Sequence, residues 1–421
     1  MVDTHAPPFR SGRHAGACCR LTVALAAIFA LLVTLAAHPA RAAGTDPRDS
    51  PPSQPPIEGK SLFEQRTCAG CHSVWGAPSE ERVGPDLGRD GHWHDLMQLA
   101  GSLWNHTPAM IQKMRERKVE RPSLSADEMG KLAGYLLYIK FLGEPGDVER
   151  GREVFEHRLC ARCHQLHGRG GTVGPRLDEL SGYASSFFMA RALWNHGPEM
   201  AAKMVDLNIE RPRLEGDEVA HIVAFIRGEA RTAAPVELAY AQAGSPQAGK
   251  AVFHERGCIK CHAIAGTGGT AGPDLAKLDG AHTAAEMAGA LWNHGPSMWA
   301  KMKELGVPFP KLTDREMADL LAYLYFVQYT GGGGDPARGS ALFRDKSCAR
   351  CHAAGREGPK VGPNLAAADA LRSPISWATA MWNHAAAVER KTHESQADWP
   401  RFEDDEMRDV VAFLRSRGGS Q

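Results

Sequence analysis

The sequence lacks net charge: 49 basic residues are balanced by 49 acidic ones, and residues 1–42 hold four Arg against one Asp. The rest of the chain is therefore slightly acidic, with 45 basic and 48 acidic residues. That argues against a nucleic-acid partner, which would want a basic face. Cysteine is scarce too. Of ten Cys, Cys18 and Cys19 lie in the first 42 residues and the other eight all fall in one repeated motif, which leaves no thiol for a disulfide framework. There is no nucleophile elbow, phosphate loop or paired-carboxylate signature, so the chemistries those motifs serve are not indicated. No stretch of useful length alternates as a strand does. The one long apolar run, Leu21 to Ala37, has 17 residues and falls short of the roughly 20 a spanning helix needs.

That run reads as part of an export signal over residues 1–42. Arg10, Arg13 and Arg20 precede it, and Ala40-Arg41-Ala42 offers small residues at the cleavage positions. The expected location is the periplasm or another exported compartment, and an uncleaved N-terminal membrane anchor is the competing reading. Residues 43–57, rich in Pro, Ser and charge, read as a flexible lead.

What the chain does contain is one unit written four times. Cys68-Ala69-Gly70-Cys71-His72 returns as Cys160-Ala161-Arg162-Cys163-His164, Cys258-Ile259-Lys260-Cys261-His262 and Cys348-Ala349-Arg350-Cys351-His352, at spacings of 92, 98 and 90 residues. On a helical turn residues i and i+3 share a face, so two thiols can reach one porphyrin edge while the next side chain points at its iron. Each motif is thus a candidate covalent haem site. A structural zinc site would need two further ligands at a repeated spacing, and a thiol redox pair would need no His.

Three more landmarks recur. A Gly and a Phe four residues apart precede each Cys pair: Gly59 and Phe63, Gly151 and Phe155, Gly249 and Phe253, Gly339 and Phe343. That spacing puts them on one helix face, where Gly lets another helix approach. Gly-Pro-x-Leu follows each motif at Gly84, Gly174, Gly272 and Gly362, and its fixed place suggests a backbone carbonyl that orients the imidazole. A Trp-Asn-His block then ends an apolar helical pattern, at Trp104, Trp194, Trp292 and Trp382. In repeats 1 to 3 it runs on to Met110 and Met114, Met200 and Met204, and Met298 and Met302. Each unit closes with an apolar helix, with capping boxes expected at Ser125/Glu128 and Thr313/Glu316. The expected fold is all-α: domains at 58–144, 145–230, 248–330 and 338–421, with a linker at 231–247 and a Gly-rich, mobile one at 331–337.

These marks, in this order, resemble class I cytochrome c. The resemblance covers nearly the whole chain after the signal and implies four small helical bundles, each around one covalent haem c. Cys68, Cys71, Cys160, Cys163, Cys258, Cys261, Cys348 and Cys351 would carry the haems. His72, His164, His262 and His352 would be the proximal iron ligands, with the carbonyls of Pro85, Pro175, Pro273 and Pro363 accepting their ring protons. By position, the distal ligands would be Met114, Met204 and Met302, with Met110, Met200 and Met298 in reserve and His106, His196 and His294 as rivals. Trp104, Trp194, Trp292 and Trp382 read as haem-pocket walls whose N–H needs a polar partner such as a propionate.

Repeat 4 departs from the pattern, because Val388 and Thr392 stand where the two Met stand elsewhere. Its iron would take His393, the first candidate, or His384, or keep an open site. The leading functional reading is an electron relay between transiently docked redox proteins, including one peripheral to a membrane complex. The alternatives are a haem enzyme working at haem 4, or the cytochrome subunit of a larger dehydrogenase or oxidase.

Overall fold

The computed structural model describes residues 56–76, 83–91, 93–166, 168–180, 184–228, 243–277, 283–329, 333–355, 358–359 and 361–418. The signal at 1–42, the lead up to residue 55, most of the 231–247 linker and the start of the 331–337 linker lie outside the described residues.

Twelve α-helices are described, three to each module. Module 1 has α1 (Pro56–Gln65), α2 (Leu96–Arg117) and α3 (Ala126–Leu142). Module 2 has α4 (Val148–His157), α5 (Ser186–Asp206) and α6 (Glu218–Gly228). Module 3 has α7 (Pro246–Glu255), α8 (Ala284–Glu304) and α9 (Asp314–Tyr329). Module 4 has α10 (Pro336–Asp345), α11 (Pro374–Glu394) and α12 (Glu406–Gly418). The described strands are two two-residue pairs, Gln165–Leu166 with Arg169–Gly170 and Ala263–Ile264 with Thr267–Gly268, which pin the loops after the second and third motifs.

Each module is held by its first helix crossing its third, for the reason the Gly and Phe spacing suggests. A Cβ at Gly59 would collide with the Lys131 carbonyl oxygen and come 2.6 Å from Tyr135 Cβ, and Phe63 packs on the Tyr135 ring at 5.6 Å. Phe155 with Phe225, Phe253 with Tyr323 and Phe343 with Phe413 repeat that ring contact at 5.6, 5.8 and 5.7 Å. Capping boxes form at Ser125/Glu128 and Thr313/Glu316, and another at Thr283/Glu286.

The long middle helices differ from the sequence expectation. The Trp-Asn-His block does not end a helix; α2, α5 and α8 run through it and enclose Pro108, Pro198 and Pro296. Proline has no N–H to give the carbonyl four residues back, so each frees the carbonyl of a Trp. Two of these carbonyls are taken by a different module: Trp104 O accepts from Trp399 Nε1 (3.2 Å) and Trp292 O from Arg211 (2.6 Å).

This exchange joins the modules in pairs, 1 with 4 and 2 with 3. Asn195 donates from Nδ2 to Leu312 O (2.7 Å) and accepts at Oδ1 from Leu312 N (2.9 Å); Asn293 does the same with Leu214 at 2.6 and 2.9 Å. Asn105 makes the two-way bond with Phe402 (2.6 and 2.9 Å), and Asn383 makes it with Leu124 (2.8 and 3.0 Å). The pairs meet at an aromatic junction, where Phe141 of module 1 packs on Phe187 of module 2 (5.5 Å) and Tyr325 of module 3 (4.7 Å). The 331–337 linker is tied down where described: Asp335 N donates to Asp409 (2.7 Å), and a Cβ on Gly334 would strike the Arg408 backbone.

Candidate functional site

Each Cys-x-x-Cys-His begins with a backbone reversal. The residue before the first Cys is left-handed in every module, at Thr67 (φ 64°), Leu159 (62°), Gly257 (81°) and Ser347 (63°). A tight turn follows, closed by His72 N to Cys68 O at 2.9 Å and by the matching bonds in the other modules at 2.9, 3.0 and 2.9 Å. One turn thus presents both sulfurs and the imidazole together. Burial pushes the first thiol of each pair up, to about 11 at Cys68, Cys258 and Cys348 and about 12 at Cys160. Among the described residues no cluster of three or more His, Cys, Asp or Glu is arranged to hold a bare metal ion.

The Gly-Pro-x-Leu loop folds back over the histidine. Nδ1 of His72, His164, His262 and His352 lies 3.0, 3.1, 3.1 and 3.0 Å from the carbonyl oxygen of Pro85, Pro175, Pro273 and Pro363. A carbonyl can only accept, so Nδ1 carries the proton and Nε2 is left with its lone pair. Glycine precedes each Pro because the ring lies on the backbone there: a Cβ on Gly84 or Gly362 would sit 2.6 Å from the imidazole. In module 1 Asp86 fastens the loop by accepting from Ser73 Oγ, Trp75 N, Gly76 N and Gly88 N, all at 2.9 Å. Burial raises the Asp86 carboxyl, but these hydrogen bonds outweigh it and leave the group below the ordinary range.

Above His72 is a cavity of about 660 Å3 lined by Phe63, Cys68, Leu87, Leu99, Leu132, Leu136, His106 and Met110. Its wall is completed from module 4 by Trp382, Phe402, Glu403 and Asp404. The residues fit a haem: a largely apolar slot of that size, a thiol pair at one edge and an imidazole with a free nitrogen. The iron would be held by His72 and the porphyrin edge by Cys68 and Cys71.

Each Trp-Asn-His tryptophan N–H has a polar partner, a proline carbonyl of another module. The indole N–H of Trp104 donates to Pro400 O (2.7 Å), Trp194 to Pro310 O (2.8 Å), Trp292 to Pro212 O (2.8 Å) and Trp382 to Pro122 O (2.9 Å). Each N–H is satisfied by the paired module rather than by a propionate, and Trp382 walls the cavity of module 1. Two indoles are covered by a buried guanidinium, Trp382 by Arg121 at 3.9 Å and Trp292 by Arg211 at 3.6 Å. The other two stack on aromatic rings, Trp104 on Trp399 at 4.3 Å and Trp194 on Phe309 at 5.0 Å. The signal for this was present as a fourfold x-Pro-x-Leu or x-Pro-x-Phe block ahead of each closing helix, at Pro122, Pro212, Pro310 and Pro400.

On the distal side, His106, Met110 and Met114 stand at successive turns of α2, and Met110 lines the cavity while Met114 is half-buried beyond it. Met200, Met204, Met298 and Met302 are half-buried at the matching turns of α5 and α8. In module 4 the ring of His384 lies 6.1 Å from that of His352, with the planes at 67°. The first sequence candidate, His393, is exposed. Nine residues at 100° each carry it half a turn around α11 from His384, so it stands on the side away from His352.

Four stretches of the chain, residues 57–140, 148–229, 246–327 and 336–418, match the Cytochrome c family. No curated protein and no solved structure matches the chain. The matches span most of the sequence, and each contains the thiol pair, the carbonyl-held histidine and the crossed first and third helices. This chain therefore belongs to the cytochrome c family, whose module it carries four times in tandem.

Proposed function

We propose that the protein is an exported tetrahaem c-type cytochrome that relays electrons between transiently docked redox proteins. The observation that carries this reading is the fourfold proximal site, with a Pro carbonyl 3.0–3.1 Å from Nδ1 of each motif histidine. Haem, when bound, supplies one-electron chemistry at its iron. The chain's own residues set the conditions. Each Pro carbonyl holds the imidazole proton at Nδ1, which aims Nε2 and raises its basicity. The apolar wall keeps water out, so a charge change there is screened by little besides fixed protein dipoles.

Distal methionines complete the sites of modules 1 to 3 in this reading. That Met110 lines the cavity above His72 while Met114 does not supports Met110 as the methionine of module 1. Because Trp382 and Phe402 of module 4 wall the cavity of module 1, a haem held by His72 would lie against module 4, which favours exchange between those two modules.

Holo-protein mass should show four covalent haems, and a potentiometric titration should resolve more than one potential. Cyanide should leave all four haem spectra unchanged on mixing. Fewer than four haems would sink the tetrahaem relay, and one haem that binds cyanide at once would favour an enzyme working at an open iron.

A further inference from the structure

Module 4 carries no methionine at either distal position, and the structure places something else there. His384 lies on α11 with its ring centroid 6.1 Å from that of His352. A metal–imidazole bond of about 2.0 Å on each side of one ion sets the two ring centroids about 6 Å apart. Val388 and Thr392, one and two turns further along α11, offer no sulfur or nitrogen donor, and they stand about 6 and 12 Å down the axis. His393 is exposed on the opposite side of α11.

Module 1 supports the position independently. There His106 occupies the matching place and lines the same cavity as His72. In module 1 the methionine one turn on, Met110, lines that cavity as well, whereas Val388 stands at its place in module 4 and leaves the histidine as the donor there.

We infer that His384 is the sixth ligand of the iron held by His352, making the fourth haem a bis-histidine centre. The inference rests on the tetrahaem reading above. Its consequence is directional: replacing Met by His lowers the reduction potential. A haem held by His352 and His384 would then lie at a lower potential than one held by His72 and a methionine, which would set the direction of exchange between them.

The test uses full-length holo-protein, with haem content measured first. In the wild type, electron paramagnetic resonance should contain one bis-histidine low-spin haem, the lowest in potential. His384→Ala should convert one haem of the four to a high-spin form that takes up cyanide. His384→Met, which keeps a donor atom if the alanine variant is poorly assembled, should remain low-spin and raise that haem's potential. His393→Ala should change neither spectrum nor potential. Four haems with no spectral or potential change in either His384 variant would overturn the ligand assignment and leave the relay standing. A response in His393→Ala instead would overturn it equally, while a wild-type chain lacking the fourth haem would overturn both readings.

Discussion

The pair formed by modules 1 and 4 and the pair formed by modules 2 and 3 make the same Trp and Asn hydrogen bonds, yet their long helices cross differently. In the 2/3 pair the crossing is built on Gly197 and Gly295, and the Trp299 ring stands 2.7 Å from where a Cβ on Gly197 would be and 2.6 Å from one on Gly295. In the 1/4 pair the matching positions are Thr107 and Ala385, both fully buried. Glu389, which replaces the Trp wedge, pairs instead with Arg115 at 3.2 Å. One pair is closed by an apolar wedge in a glycine notch, while the other has two buried small residues and a half-exposed ion pair. Repeated hydrogen bonds specify which surfaces meet, and the small residue after the histidine sets how closely they approach.

The largest expected effect breaks the notch. Gly197→Val places methyl groups inside the Trp299 ring, and overpacking of this kind costs about 1–3 kcal/mol or more. Ala385→Gly at the matching place in the 1/4 pair should cost about 1 kcal/mol, the helix penalty of Gly. Thermal unfolding of the two holo-variants checks this, and equal losses would show that the crossings are alike. The next effect sharpens the comparison at the asparagines. Asn195 is buried and Asn105 half-buried, so Asn195→Ala strands the Leu312 N–H and C=O without water, at about 1–3 kcal/mol per group. Asn105→Ala lets water reach Phe402 and should lose less in denaturant titration.

The smallest effect separates the two members of each pair by pH. Asp86 and Asp274 clamp the loops of modules 1 and 3 from the Gly-Pro-x-Leu position, where module 4 has Asn364 and module 2 has Arg176. Both carboxyls sit below the ordinary 3.8: burial raises them, and the backbone N–H bonds more than offset it. A depressed folded value means that the stabilisation is complete above the unfolded value and is lost as pH falls through the folded one. Asp86→Asn should flatten the acid limb of a stability–pH profile below about pH 4 and lower stability at neutral pH, because an amide nitrogen cannot accept from Ser73 and Gly76 as Oδ2 does. An acid limb unchanged in Asp86→Asn would show that the stabilisation resides elsewhere.

Much of the haem-facing side was readable along the chain because its contacts are local. Cys68 to His72 is one turn, Pro85 is 13 residues from His72, and Gly59 meets Tyr135 inside one module. What could not be read was the partner of Trp104, which lies 296 residues away at Pro400. The same limit misplaced the end of α2 at the Trp-Asn-His block, since whether Pro108 ends a helix or is carried inside one depends on the packing around it. It also favoured His393 over His384, because residue spacing from His352 does not reveal which side of α11 faces the proximal ring.

By itself the sequence determined the fourfold unit, the thiol pairs, the carbonyl-held histidines and the fourth module's missing methionines, all set by short-range stereochemistry and repeat spacing. Only the tertiary structure decided that module 1 pairs with 4 and module 2 with 3, and that His384 faces His352. The four Trp-Asn blocks and the four Pro-containing segments are nearly equivalent in sequence. Which of them meet depends on how whole helices pack, where Gly197 admits Trp299 and Thr107 does not.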